Sequence, residues 1–239
     1  MGRNNYFRFK QFKVVQNHAA MKVGTDGVLL GAWVNTENTT SILDVGTGTG
    51  LIALMMAQRT NAFITGIDIE EKAAMEATNN TLASPWSHRI RIINISLQNF
   101  LQSNDNKYDL IVSNPPFFSN SQKSKIENLA IAKHNDFLPF DDLIYCCSKL
   151  LNENGRIALI IPFQSYEDIQ MFIQKANLTI IRKTLVKPTP MKKGHRLLIE
   201  LAKTNYTPIE MDVIHIHDNK KQEFSQEFKK LISPFYLHY

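Results

Sequence analysis

The chain has 239 residues, 44% hydrophobic and 21% charged, with only 10 Gly and 9 Pro, which excludes a disordered or low-complexity chain and suits one domain with a sizeable core. No run approaches the roughly 18 uninterrupted apolar residues of a membrane span, and the opening MGRNNYFRFKQFK has no apolar stretch of the kind a secretory leader needs. The net charge is +5, and a cytoplasmic protein is expected, with its two cysteines reduced.

In chain order, SILDV (41–45) is a short β-branched strand that runs into GTGTG and then the helical LIALMMAQR. AFITGID (62–68) predicts a second strand, and EEKAAMEATNNTLA (70–83) a helix whose acidic first turn suits the helix dipole. RIRIINI (89–95) follows as a third strand, LQNFL as a short helix, and YDLIVS (108–113) as a fourth strand. Its continuation, NPPFF, cannot stay in a buried strand, so the chain leaves the sheet at Asn114. The carboxyl end of a strand is where open α/β sheets place ligands. A polar loop (119–128) leads to a helix from about Phe140 to Leu151. That helix carries the neighbouring Cys146 and Cys147, which read as small buried hydrophobes. GRIALIIP (155–162) is a fifth strand and residues 164–176 a helix. LTIIRKTLV (178–186) and HRLLIEL (195–201), joined by KPTPMKKG with no room for a helix, predict an antiparallel hairpin. The tail combines a strand-like MDVIHIH with an amphipathic FSQEFKKLI. No internal repeat or second core is evident, so residues 1–239 are expected to form one domain, with 1–35 a basic extension and 204–239 an appendage.

Asp44 to Gly50 reads DVGTGTG, with glycines at 46, 48 and 50 between a strand and a helix. Glycine permits a sharp turn and a close approach of backbone to ligand. The dinucleotide fingerprint would need glycine at 51, where this chain has Leu51, and a phosphate loop would need Gly-Lys-Ser/Thr at the helix start. Two acids complete the pattern, Asp44 before the glycines and Asp68 ending the second strand, placed to accept hydrogen bonds from ribose hydroxyls. A ligand carrying an ammonium and a sulfonium suits such acids. S-adenosylmethionine meets that description, and the whole arrangement resembles the class I methyltransferases. The resemblance implies an α/β, Rossmann-like fold with a mostly parallel seven-stranded sheet, helices on both faces, and the hairpin at the sheet's end.

Asn114-Pro115-Pro116-Phe117 resembles the N/D-P-P-Y/F/W motif of methyltransferases acting on amino nitrogens. An amine conjugated to an aromatic ring is a poor nucleophile, and acceptors on its two hydrogens push the nitrogen toward sp³ geometry. The Asn114 amide oxygen and the Pro115 carbonyl are the expected acceptors. The two prolines fix φ, and Phe117 offers a face on which an extruded base can stack. No metal or catalytic base is required, because proximity and alignment are the main demands of an in-line displacement. The motif alone leaves open adenine N6, guanine N2 of ribosomal RNA, and glutamine in a protein. A noncatalytic RNA-binding protein on the same fold is a further alternative, against which the intact Asp44, Asp68 and Asn114 weigh.

The segment FKQFKVVQNHAAMKVGTDGVLLGAWV (9–34), followed by the glycine loop, NPPF and the closing FKKLISPFYL, resembles the bacterial tRNA1(Val) adenine-N6 methyltransferase family across nearly the whole chain. The resemblance implies S-adenosylmethionine as methyl donor and, as substrate, the adenosine just 3′ of the anticodon of a valine tRNA. It implies that Lys22 to Gly27 lie over the cofactor's methionine end. By geometry, Ser96 and Leu97 flank its adenine. The expected cofactor contacts are therefore Lys22, Thr25, Asp44, Gly46, Thr47, Gly48, Gly50, Asp68, Ile69, Ser96, Leu97 and Asn114. The uneven charge agrees with an RNA substrate. Residues 1–25 hold five cations and no acid, and residues 182–203 hold seven Lys or Arg against Glu200 alone, which leaves about −6 for the rest. Arg3, Arg8, Lys10 and Lys13, with Lys187, Lys192, Lys193 and Arg196, are the expected phosphate contacts. His134, His215 and His217 lack metal-ligand spacing, so no metal is expected, and a monomer is the default.

Overall fold

The computed structural model describes residues 5–17, 22–116, 138–204, 211–219 and 223–238. Arg3, Phe117, His134 and the 119–128 loop, all singled out in the sequence, lie outside the described residues.

The strands are β1 (Tyr6–Arg8), β2 (Lys13–Val15), β3 (Ser41–Val45), β4 (Phe63–Asp68), β5 (Ile90–Asn94), β6 (Tyr108–Ser113), β7 (Leu151–Pro162), β8 (Thr179–Lys187), β9 (Arg196–Ala202) and β10 (Asp212–His215). The α-helices among the described residues are α1 (Thr25–Trp33), α2 (Leu51–Arg59), α3 (Glu71–Leu82), α4 (Leu97–Ser103), α5 (Phe140–Leu150), α6 (Tyr166–Lys175) and α7 (Gln226–Ile232). β1 and β2 pair as a small antiparallel hairpin, and the other eight strands form one sheet in the order β10-β8-β9-β7-β6-β3-β4-β5. β3, β4, β5, β6 and β7 are mutually parallel, and β9 runs antiparallel between β7 and β8. The expected hairpin is present. Among the described residues the sheet nevertheless has eight strands and not seven, because the tail strand β10 adds in parallel to β8 and becomes the edge.

The period-two alternation of the strands divides the core between the two sheet faces. Ile42, Ile64, Leu110, Val112, Ala158, Ile160 and Leu198 point to a layer built from α1, α2, α7 and the N-terminal hairpin. Leu43, Val45, Ile67, Ile111, Ile157, Leu159 and Ile199 point to a layer built from α4, α5 and α6. Cys146 and Cys147 are free thiols buried in that second layer, as expected. The N-terminal hairpin reaches the first layer through Phe9, Phe12 and Val14, and its Lys10 N–H donates to the Phe235 carbonyl at 2.8 Å. α1 had no counterpart among the sequence-predicted elements. Its far end is tied to the sheet by Trp33, whose indole N–H donates to Thr184 Oγ1 at 3.0 Å under the Arg182 guanidinium, 4.0 Å from the ring. Among the described residues no helix is long and apolar enough to cross a membrane.

At the amino edge of the sheet, Asp109 joins three strands. Its Oδ2 accepts from Thr40 N (2.9 Å), Thr40 Oγ1 (2.7 Å), Ser41 N and Ser41 Oγ (both 3.1 Å), and its Oδ1 accepts from Asn152 Nδ2 at 2.6 Å. Burial alone would raise its pKa, but the hydrogen bonds from Thr40, Asn152 and Ser41 outweigh it and bring the value down to about 2. A depressed carboxylate pKa stabilises the fold above the unfolded value near 4, and that stabilisation is lost as pH falls through about 2. Asp109→Ala is therefore expected to lose about 1–2 kcal/mol at neutral pH. In urea titrations the gap from wild type should close progressively between about pH 4 and 2.

Candidate functional site

The sheet register fixes the site. Val45 pairs with Ser113 and with Ile67, so β3, β4 and β6 end side by side and release the glycine loop, Asp68 and Asn114 at one edge. Ser113 strengthens that alignment by donating its hydroxyl to the Val45 carbonyl at 2.8 Å.

The loop is built on positive φ angles of 70° at Gly46, 55° at Gly48 and 79° at Gly50, values that L side chains rarely adopt. A Cβ placed on Gly46 would meet nothing within 4 Å, whereas one on Gly50 would come within 3.4 Å of Ala77 on α3. One side of the ribbon is thus open backbone, and the other packs against a helix. Asp44 is completely buried beneath the loop. Its Oδ2 accepts from Thr47 Oγ1 at 2.7 Å and from the Ala53 N–H, in the first turn of α2, at 3.1 Å. Burial pushes its pKa up to about 7, with the nearby Asp68 charge acting in the same direction and the two hydrogen bonds opposing. Asp68 is half-buried; its Oδ2 accepts from Gly48 N at 2.8 Å and its Oδ1 from Glu70 N at 2.9 Å. Burial raises its pKa as well, against those two hydrogen bonds. An ionised carboxylate has about four lone-pair sites, so Asp68 keeps acceptor capacity for a ligand.

Two acceptors are left over at this edge. Asp44 Oδ1 and Asn114 Oδ1 are buried with no hydrogen-bond partner among the described residues. An unpaired buried acceptor costs about 1–3 kcal/mol, and native structures keep few of them. These orphaned oxygens, the open face of the loop and the two acids fit a ligand that brings cationic and N–H donor groups. Helix α1 closes the site from the side, since a Cβ on Gly27 would lie 3.1 Å from Leu51 Cδ2 and 3.9 Å from Asn114 Nδ2.

Several expected contacts occupy other roles. The Thr47 hydroxyl turns inward to Asp44 and is not offered to a ligand, which leaves its backbone to line the loop. Leu97 is 4% exposed and belongs to the second core layer, so its side chain is not a ligand surface. Ser96 caps α4, its Oγ accepting from Asn99 N at 3.2 Å. Exposed Ile69 follows Asp68, Lys22 is exposed at the approach to α1, and Thr25 is exposed at its first position. Pro115 is buried and Pro116 exposed beyond Asn114. Arg8, Lys10, Lys13, Lys192 and Lys193 are exposed and Lys187 is half-buried. Arg196 instead pairs with Asp26 in the first turn of α1 (Nε to Oδ2, 2.8 Å), so it fastens β9 to the helix over the site. Among the described residues no cluster of three or more His, Cys, Asp and Glu side chains is arranged to hold a metal.

Two asparagines escaped the sequence reading. Asn80 accepts from Val15 N and donates to the carbonyls of Val15 and Thr49, all at 2.9 Å, which ties the N-terminal hairpin to the glycine loop through α3. Asn94 donates to the carbonyls of Asp68 and Ile69 at 3.0 Å and so sets the turn that carries the second acid. Neither belongs to a spaced motif, and only the fold brings them to the site.

The methyltransferase small domain family matches residues 8–178. The tRNA1(Val) (adenine(37)-N6)-methyltransferase of Parabacteroides distasonis is 43% identical over 234 residues, covering 98% of each chain. The protein of the same name from Trichodesmium erythraeum is 42% identical over 238 residues, covering 98% of this chain and 99% of its own. Among solved structures, one described as a predicted O-methyltransferase from Agrobacterium tumefaciens superposes with a TM-score of 0.69 at 20% identity, over 88% of this chain and 96% of that one. A ribosomal protein L11 methylase from Lactobacillus delbrueckii gives 0.55 at 20% identity, over 75% and 78%. At that identity the structural likeness speaks for the class I methyltransferase fold.

The buried Asp44 makes stability depend on pH in a defined direction. With a folded pKa of about 7 against 3.8, the folded state holds a proton that the unfolded chain releases above pH 4. Asp44→Asn keeps the acceptor oxygen and places N–H groups where the protonated acid has O–H. Wild-type stability should therefore fall relative to the variant between about pH 4 and 7, by up to about 1.4 kcal/mol per pH unit, and run parallel to it above. Denaturant unfolding of both proteins at about pH 5, 6, 7 and 8 measures this, and constant separation across the range would mean that Asp44 ionises normally.

Proposed function

This chain belongs to the methyltransferase small domain family and to its tRNA1(Val) (adenine-N6)-methyltransferases, and from that premise we propose that it methylates N6 of adenosine 37, just 3′ of the anticodon, in a valine tRNA. The observation that carries this reading is Asn114: the amide ends β6 beside the glycine loop, with its Oδ1 buried and unpaired.

The methyl donor is S-adenosylmethionine, which when bound supplies an electrophilic methyl group on a cationic sulfur. Asp68 receives ribose hydroxyls on its free lone pairs, and the open backbone of Gly46 and Gly48 lets the ligand lie against the loop. Asp44 supports the loop from below and presents its unpaired Oδ1 to a donor. The N-terminal segment and the start of α1, with Lys22 and Thr25, form the wall over the methionine end. The tie from Asn80 to both Val15 and Thr49 supports this placement.

At the reacting side, Asn114 Oδ1 accepts one hydrogen of the adenine amine and the Pro115 carbonyl accepts the other. The amine nitrogen then turns its lone pair toward the methyl group. The acceptors are fixed in advance by Pro115 and Pro116, so little reorganisation accompanies the transfer. Phe117 stacks on the extruded base. The loop 188–195 and the N-terminal hairpin, with Arg8, Lys13, Lys187, Lys192 and Lys193, hold phosphates around the anticodon loop, whose unpaired bases are readily extruded. The reaction takes place in the cytoplasm on a monomeric enzyme without a metal.

Labelled methyl from S-adenosylmethionine should enter unmodified total tRNA, and nucleoside mass spectrometry should identify N6-methyladenosine beside the anticodon. Asn114→Ala should lower the rate roughly 10²–10³-fold while cofactor affinity, measured by calorimetry, stays close to that of wild type. Unchanged turnover in the variant would remove Asn114 from the reacting site, and absence of incorporation by the wild type would overturn the tRNA reading.

A further inference from the structure

Phe163 is an exposed aromatic residue at the ligand edge of the sheet. It follows Pro162 at the carboxyl end of β7, the strand next to β6, and is 42% exposed. Phe63, which is 70% exposed, opens β4 at the opposite edge. The Phe163 N–H donates to the His195 carbonyl at 3.1 Å, and Pro162 pairs with Arg196, which Asp26 holds in turn. The ring is therefore mounted on a braced corner. Beside it runs the 188–195 loop, which contains no acid, exposes Lys192 and Lys193, and carries Met191 with 85% of its surface open.

The register gives the ring's position relative to the reacting group. Ser113 is level with Leu159, so Asn114 is level with Ile160 and Phe163 lies three residues further out, about 10 Å at ~3.3 Å per residue. The neighbouring strand adds about 5 Å sideways. That distance is of the order of the separation between an extruded base and its neighbour along a single strand.

We propose that Phe163 is a stacking platform for an unpaired base next to the methylated adenosine, with Met191 extending the apolar surface and Lys187, Lys192 and Lys193 holding the adjoining phosphates. This rests on the tRNA reading above and adds to it a residue that engages a nucleotide other than the target. Lysine is depleted from the cores of protein interfaces, whereas cations around an aromatic face are the ordinary equipment of single-strand binders. Partial desolvation and the Arg196 charge lower the pKa of His195, with the Asp26 carboxylate opposing them.

The test pairs protein and RNA changes in steady-state methylation of an anticodon stem-loop. Phe163→Ala should raise the half-saturating RNA concentration about tenfold, and Phe163→Trp should restore it. Cofactor affinity and the unfolding midpoint should not move. An RNA abasic at one of the two positions flanking the target should cost wild type a similar factor, and Phe163→Ala less than about twofold, because the two changes remove the same contact. Losses that multiply at both flanking positions, or a Phe163→Ala enzyme that binds RNA like wild type, would overturn the platform while leaving the tRNA reading in place. A wild-type enzyme that methylates no RNA would overturn that reading and the platform with it.

Discussion

A single buried carboxylate organises the ligand edge of this protein. Asp44 lies on the same face of β3 as Ile42, pointing at the helix layer, and there it joins the hydroxyl of the glycine loop to the first turn of α2. Because side chains alternate along a strand, a slip of one residue would turn this carboxylate to the other face and leave an apolar residue under the loop. The partly positive amino end of a helix is a favourable place for a carboxylate. Even so, burial raises the Asp44 pKa to about 7, so the favourable contacts do not fully offset the lost hydration. The unpaired Oδ1 is the residue of that imbalance, an acceptor that the fold leaves for something other than itself.

The walls around this edge are held by contacts distant in sequence. Asn80 connects the N-terminal hairpin with the glycine loop, and the hairpin's aromatic side chains share a core layer with Phe228, Ile232 and Phe235 near the other end of the chain. Both ends of the chain thus bear on the loop through the same layer. The Asp26–Arg196 pair does comparable work at the opposite side, where each side chain is 26% exposed. An exposed pair contributes little to stability, but at this depth its main effect is geometric. It fixes the first turn of α1, whose Gly27 lies against Asn114, to the strand that follows the basic loop.

Local patterns made the ligand edge legible in the sequence. The glycine loop, Asp68 and NPPF each mark the point where a strand stops, and parallel strands that stop together must share an edge. The segment around α1 was opaque for a physical reason. It is buried from Gly27 through Trp33, so it lacks the polar stripe that reveals a surface helix, and its two glycines weaken helix propensity. β10 was visible as a strand but not as a member of the sheet, because Asp212 and Val213 are exposed and an edge strand needs only one partner. Thr47, Leu97 and Arg196 show the limit of position in a motif. All three lie where ligand contacts were expected, yet the side chains turn to Asp44, to the core and to Asp26. Residue type and spacing do not determine which way a side chain points when a better partner is nearby.

Charge is segregated by depth across the site, and the segregation bears on how a polyanion can be a substrate. Asp44 and Asp68 lie at the base of the edge, buried and half-buried, while Lys192 and Lys193 are exposed on a loop beyond it. A phosphate entering the pocket would lose hydration and meet negative potential, whereas at the rim it meets lysines in water. A neutral base experiences neither penalty. Opposite charges at different depths therefore sort a nucleotide into its parts, with the backbone kept outside and the base admitted. The same field favours a cationic methyl donor at the base of the pocket, so one arrangement of charges serves both reactants.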